Sequence, residues 1–378
     1  MKSLTILGGG NTAFAAAANL SLRGFRVTIC EHPDFAHTLE PVRAGGGIVL
    51  DGVAARGRAP IHALTTDFRE GLQNDLLLLI VPAYAHRPFA LACAPYLREG
   101  HTLVLLPGTL GTLEFHTLLR EKGRDLSRIT LAETDTAPYV CRKLTPDSAH
   151  IWGVVSALGL GVLPASETGR TRDLLRSIFT VDGLGGPDGE DNSAVSCYGN
   201  VFECGLSAMN PVVHPPGVLM NAGRVEYSRG DFYFYEEGVT PGVCNAIYGV
   251  DRERRQVGRA LGFELSVVDE AFFLAGFGPR GDLWSTINGS RMLTQLRAPG
   301  ELNTRWLTED VPYGLGAWSS LGRHLGVATP LMDGLVALAS AALGEDFRAS
   351  SRTVRRLGIA GMGRGQLLRF AETGEMPE

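Results

Sequence analysis

The sequence predicts an α/β protein in two parts: a doubly wound sheet over residues 1–186 and an all-helical part over residues 187–378. Three observations carry that prediction. Strand, glycine turn, helix and strand follow one another from Ser3 to Glu31. Three further apolar runs, Leu76–Val81, Leu103–Leu106 and Ile129–Glu133, have the length and composition of buried parallel strands. Beyond a glycine- and acid-rich stretch, Asp182–Asp191, which marks the domain boundary, Val243–Gly262 and Pro330–Leu343 read as helices.

Taken in order, Ser3–Leu7 is a short buried strand, Phe14–Arg23 an alanine-rich helix closed by Gly24, and Arg26–Glu31 the second strand. The turn between strand and helix is Gly8-x-Gly10-x-x-Ala13, with Asn11 and Thr12 inside it. The first glycine permits the tight turn, the second leaves room for a pyrophosphate, and the third small residue lets helix and strand approach. The helix start then offers N–H groups and a positive dipole end to phosphates. Glu31 ends the second strand 23 residues after Gly8. A carboxylate there accepts hydrogen bonds from ribose hydroxyls and repels a 2′-phosphate, which favours NAD over NADP. Arg26 and Arg43 are the residues that could still reach such a phosphate.

Asp51-Gly52 between apolar residues signals a hairpin, an excursion before the sheet resumes. Ligands of doubly wound sheets lie at the carboxyl ends of the strands. Val81 and Pro82, with the rest of the stretch to His86, are therefore expected to border the cofactor, as is Pro107–Thr112. His86 is a secondary candidate for a catalytic base. In the second half, Asn192–Met209 has helical spacing. Asn210-Pro-Val-Val-His214-Pro-Pro-Gly217 reads as a proline-stiffened loop, with a new helix starting near Val218. A rigidly held histidine suits proton transfer, because its unperturbed pKa lies near neutrality. The aromatic run Asp231–Gly238 either packs or lines a pocket, and Asp310, before Val311-Pro312, lies near an element end.

Composition excludes several classes. A net charge of −5 argues against a nucleic-acid surface. The six cysteines show no C-x-x-C pair and no cluster with histidine, so neither a disulfide framework nor a zinc site is expected. The N-terminal apolar run stops at three glycines, too short for a signal sequence. Leu76–Ala83 falls short of the roughly 20 residues that a bilayer requires. A cytoplasmic enzyme without membrane contact is the expectation; a homodimer is compatible with it.

On Gly8-x-Gly10-x-x-Ala13, Pro138-Tyr-x-Cys141-Arg142, Asn210-x-x-x-His214-Pro, Asp231-Phe-Tyr-Phe-Tyr-Glu-Glu-Gly238 and Arg305-x-x-x-x-Asp310-Val-Pro, the chain resembles the octopine/nopaline (opine) dehydrogenase family over nearly its whole length. The resemblance implies a Rossmann domain followed by an all-helical domain like the C-terminal domain of 6-phosphogluconate dehydrogenase, with catalysis in the cleft between them. It implies His214 and Asp310 as the proton-transfer pair, Arg305 as the grip on a substrate carboxylate, and Asn210 as a substrate contact. Cys141 and Asp135 are candidates to line the amino-acid pocket. The implied reaction joins an amino acid and a 2-oxo acid through an imine that NADH reduces. One rival is a ketopantoate-type reductase acting on a C–O bond. Such enzymes rely on a lysine in the helical domain, and the lysines here are Lys2, Lys122 and Lys143, all before the boundary. The other is a non-catalytic NAD-binding sensor.

Overall fold

The computed structural model describes residues 2–180 and 194–377. The boundary expected at Asp182–Asp191, and with it the division after residue 186, lies outside the described residues. The chain separates into two compact units, Met1–Val201 with Ala371–Glu375, and Phe202–Phe370 with Met376–Glu378.

The first unit holds two sheets. The strands are β1 (Ser3–Leu7), β2 (Arg26–Cys30), β3 (Ile48–Gly52), β4 (Gly57–Ala59), β5 (Ala63–Thr65), β6 (Leu76–Leu79), β7 (Thr102–Leu105), β8 (Thr130–Thr134), β9 (Tyr139–Arg142), β10 (Ser148–Val154), β11 (Leu158–Leu163) and β12 (Val195–Cys197). The main sheet runs β12-β11-β8-β7-β6-β1-β2-β5. Its neighbours are parallel except at β8–β11. Strand order reverses at β1, which has β2 on one side and β6 on the other, so the glycine turn after β1 sits at the switch point where such sheets take ligands.

The second sheet, β4-β3-β10-β9, is the excursion expected near Asp51, completed by a hairpin from much later in the chain. Asp51-Gly52 closes β3 and the connection to β4 follows it. This sheet packs on helix α1 (Asn11–Leu22). Main sheet and second sheet thus cover α1 from two sides, and every residue from Ala13 to Leu20 is buried. A helix buried all round must be apolar all round, and thin where backbones approach, which explains its run of alanines. The buried Asn19 is satisfied: its amide donates to the Tyr139 hydroxyl at 2.9 Å and accepts from Ala55 N–H at 3.3 Å.

The second unit is helical. Pro241–Leu261 buries Val243, Ile247, Val250, Arg254, Val257 and Leu261, one stripe at three- and four-residue spacing. The fully buried Arg254 is held by Asp251 at 2.6 Å and by the carbonyls of Leu206 and Ser266. Glu253 accepts from the N–H groups of Leu331 and Met332, capping the helix Pro330–Leu343.

Two stretches differ from expectation. Within Asn192–Met209 the spacing that reads as helical includes β12, which pairs in parallel with β11, and the helix is only Val201–Leu206. Short runs of small residues do not separate the two periodicities. The Asn210–Gly217 stretch is no loop: it is the start of a helix, Asn210–Met220. Pro211 stands in the first turn, where no intrahelical N–H is needed, while Pro215 and Pro216 each forfeit one bond to the carbonyl four residues back. Burial of every side chain from Pro211 to Leu219 offsets that loss. The helix expected from Val218 begins instead at Ala222 and ends at Ser228.

Candidate active site and cofactor turn

In the helical unit, two π-helical turns meet the imidazole of His214. Phe234–Gly238 is one and Asp310–Leu315 the other. Such turns are rare and recur at functional sites. His214 Nδ1 lies 2.8 Å from Asp310 Oδ2, a contact spanning 96 residues of sequence. Nε2 lies 3.1 Å from the Tyr235 hydroxyl. The Trp306 indole stacks on the ring at 4.4 Å and 5°, and Phe234 meets that indole edge-on at 4.6 Å. Only 8% of His214 and 8% of Asp310 remains exposed, so the pair works in a medium of low polarity. A carboxylate at Nδ1 accepts a hydrogen bond from that nitrogen's N–H, which leaves the lone pair on Nε2. Burial, and then the nearby Asp310, push the Tyr235 pKa up, which keeps it a neutral hydroxyl.

The backbone supports this geometry. Gly217 lies one turn beyond His214, and a Cβ there would stand 2.5 Å from Phe234 Cζ. That close approach lets the first π-turn press against the histidine helix. Asn210 is exposed at the start of the same helix, four residues before His214 and so on its face. Arg305 immediately precedes Trp306. Its guanidinium is 3.8 Å from Glu309 rather than paired with Asp310, and its side chain is 57% exposed. An exposed pair of that kind holds the arginine weakly.

In the first unit the glycine turn fits a dinucleotide. Gly8 has φ +114°, and a Cβ on it would strike Val81 Cγ1 at 2.6 Å and the Ile80 carbonyl at 2.7 Å. Gly10 caps α1 with no side-chain hydrogen bond, and a Cβ there would meet nothing within 4 Å. Ala13 is buried, Val81 lies against Gly8, and Pro82 opens the turn that follows β6. Glu31 is 5% exposed and accepts from the N–H groups of His32 and Gly9. Burial raises its pKa, against the pull of those bonds and of Lys143. Arg43 is paired with Glu40, and Arg26 lies against His62.

The other sequence candidates fall elsewhere. Asp135 Oδ1 accepts from Gly159 N–H at 2.9 Å and its Oδ2 from the Tyr198 hydroxyl at 2.8 Å. Burial pushes its pKa up to about 7. Both carboxyl oxygens of Asp135 are thus engaged within the first unit. Cys141 stands with Sγ 3.7 Å from Thr12 Oγ1, beside the first turn of α1, so its surroundings are those of the cofactor turn. His86 is completely buried and its ring packs under Gly111, which denies it the access a base requires.

Sequence reasoning missed Trp306, and it left Tyr235 within an aromatic run without a role. No local signal marked Trp306, because its partner His214 lies 92 residues earlier in the chain. Lys143 figured only as one of few lysines, yet its ammonium donates to the Gly9 carbonyl at 2.8 Å. Among the described residues, no group of three or more His, Cys, Asp or Glu side chains could hold a metal ion. No helix among them is long and apolar enough to cross a membrane.

Residues 197–343 match the family model described as NAD/NADP octopine/nopaline dehydrogenase, alpha-helical domain. An opine dehydrogenase of Arthrobacter sp. (strain 1C) is 32% identical over 364 residues, 96% of each chain. Octopine dehydrogenase solved with NADH and L-arginine superposes with a TM-score of 0.74 at 18% identity, covering 100% of this chain and 99% of that one. Yersinopine dehydrogenase solved with NADP+ gives a TM-score of 0.67 at 16% identity, covering 98% of both. With 32% identity sustained over 96% of its length, the chain belongs to the opine dehydrogenase family, NAD-dependent oxidoreductases that act on CH–NH bonds.

Proposed function

We propose that this chain condenses a 2-oxo acid with an amino acid reductively, using NADH, or runs the same reaction backward on the secondary amine. The single observation that carries the reading is the His214–Asp310 contact under the Trp306 ring. The bound dinucleotide would supply a hydride to the imine carbon. The glycine turn and α1 would hold its phosphates, and Glu31 its adenosine ribose.

The remaining work belongs to the second unit. His214 holds or releases one proton at Nε2 as the substrate passes between amine, imine and secondary amine. Asp310 fixes the tautomer through Nδ1 and stabilises the imidazolium when it forms. The Tyr235 hydroxyl stands against Nε2, so it yields that position or passes the proton on. Arg305, exposed and weakly held by Glu309, presents a planar fork that matches a carboxylate with two parallel hydrogen bonds. Asn210, on the face of His214, adds a polar contact to the substrate.

The test is NADH oxidation with pyruvate and a panel of amino acids. Oxidation that requires both the oxo acid and the amine supports the reading. Oxidation supported by a 2-oxo acid alone, with no dependence on any amine, contradicts it.

A further inference from the structure

Lys143 follows β9, where the second sheet crosses α1. Its backbone N–H donates to Asn11 Oδ1 at 3.0 Å, which fixes the residue over the first turn of α1. Its ammonium donates to the Gly9 carbonyl at 2.8 Å and lies 3.9 Å from the centre of the Phe14 ring. A cation is thus stationed half-buried at the N-terminal end of a 12-residue helix. The dipole of the helix makes this the wrong end for positive charge. Burial also lowers the lysine's pKa, and Glu31 compensates only in part. A local electrostatic conflict of this kind is expected where a ligand resolves it. Here the helix N–H groups, uncapped by any side chain, and the ammonium both call for an anion at one point. The Gly9 carbonyl takes one of the ammonium's three donors.

We propose that Lys143 is a cofactor-binding residue whose ammonium pairs with the pyrophosphate of the dinucleotide. The proposal rests on the reading that the glycine turn receives NADH. It also explains how a turn with an acidic residue on one side, Glu31, tolerates a dianionic group on the other. Pyrophosphate charge restores the lysine's ordinary preference for its charged form and lets the α1 dipole act in the same sense.

The test is direct binding, measured by NADH and NADPH fluorescence and by displacement with ADP, on the full chain and on Lys143→Met and Lys143→Arg. A charge-assisted hydrogen bond in a half-buried setting is expected to contribute about tenfold or more in affinity. Lys143→Met should weaken NADH and ADP alike by that factor and flatten the dependence of binding on salt. Lys143→Arg should stay within about threefold of the parent, because the charge is retained. Unchanged NADH affinity in Lys143→Met overturns the proposal, as does a fall in melting temperature with unchanged affinity of the folded fraction. A loss confined to NADPH overturns the pyrophosphate assignment, since it would mean contact with the 2′-phosphate. Failure of the unaltered chain to bind NADH would instead remove the reading beneath it.

Discussion

At the scale of the residue, chemistry concentrates on one imidazole. His214 has a carboxylate on one nitrogen, a hydroxyl on the other and an indole across its face. The three partners do different things. Trp306 fixes the plane of the ring, worth about 0.5–1.5 kcal/mol beyond simple burial. On the proposed reading, Asp310 fixes the proton on Nδ1. An Asp310→Asn side chain keeps the shape but can present its amide N–H to Nδ1, which favours the wrong tautomer. Turnover is expected to fall by about 10²- to 10⁴-fold with NADH affinity unchanged, measured by steady-state kinetics beside a binding titration. Loss of binding in step with turnover would place Asp310 in a structural role. The meeting of His214 with Asp310 was expected from a family pattern, and the structure brings the two side chains together. For Asp135 and Cys141, no spacing rule says where a strand-end side chain will point. The carboxyl of Asp135 went to Tyr198 and Gly159.

At the scale of the element, proline chemistry misled and glycine chemistry did not. Pro211, Pro215 and Pro216 suggested a loop, yet tertiary burial holds them in a helix. The two π-turns could not be read at all, since an extra residue in a helical turn leaves no periodic mark. Gly8 was legible because a strand, a positive-φ turn and a helix start make one local unit. Gly217 was not, because what requires it is Phe234, brought in by tertiary packing. Gly217→Ala puts a methyl group 2.5 Å from Phe234 Cζ. The turn bearing Tyr235 must shift, at a cost of about 1–3 kcal/mol. A lower melting temperature together with reduced turnover is expected. Parent-like values of both would show that this contact is slack.

At the scale of the whole molecule, the proposed reading assigns dinucleotide capture to the first unit and proton transfer to the second. In the first unit, two buried titrating groups, Asp135 and His116, are shifted in opposite senses. The Asp135 carboxyl, at about 7, is raised above its ordinary value of 3.8. Between those values the folded state binds more protons than the unfolded state, so this group's contribution weakens as pH rises. His116 acts oppositely: burial, and then Arg120, depress its pKa from 6.5 to about 4, so stability is lost as pH falls through that window. Asp135→Asn removes the first effect and leaves the second. The melting temperature of the variant relative to the parent is expected to be more favourable at pH 8 than at pH 5. A difference that is flat across that range would contradict the assigned carboxyl. Sequence order made the division into sheet and helices readable, while the pairing of β3 with β10 joins Val49 to Ser148 across the chain, and nothing local announces it. The most direct test of the central claim is turnover of His214→Asn in the oxo-acid and amine assay, with NADH affinity measured on the same preparation. The account expects a fall of about a hundredfold or more in turnover with NADH affinity unchanged; retention of near-parent turnover would contradict it.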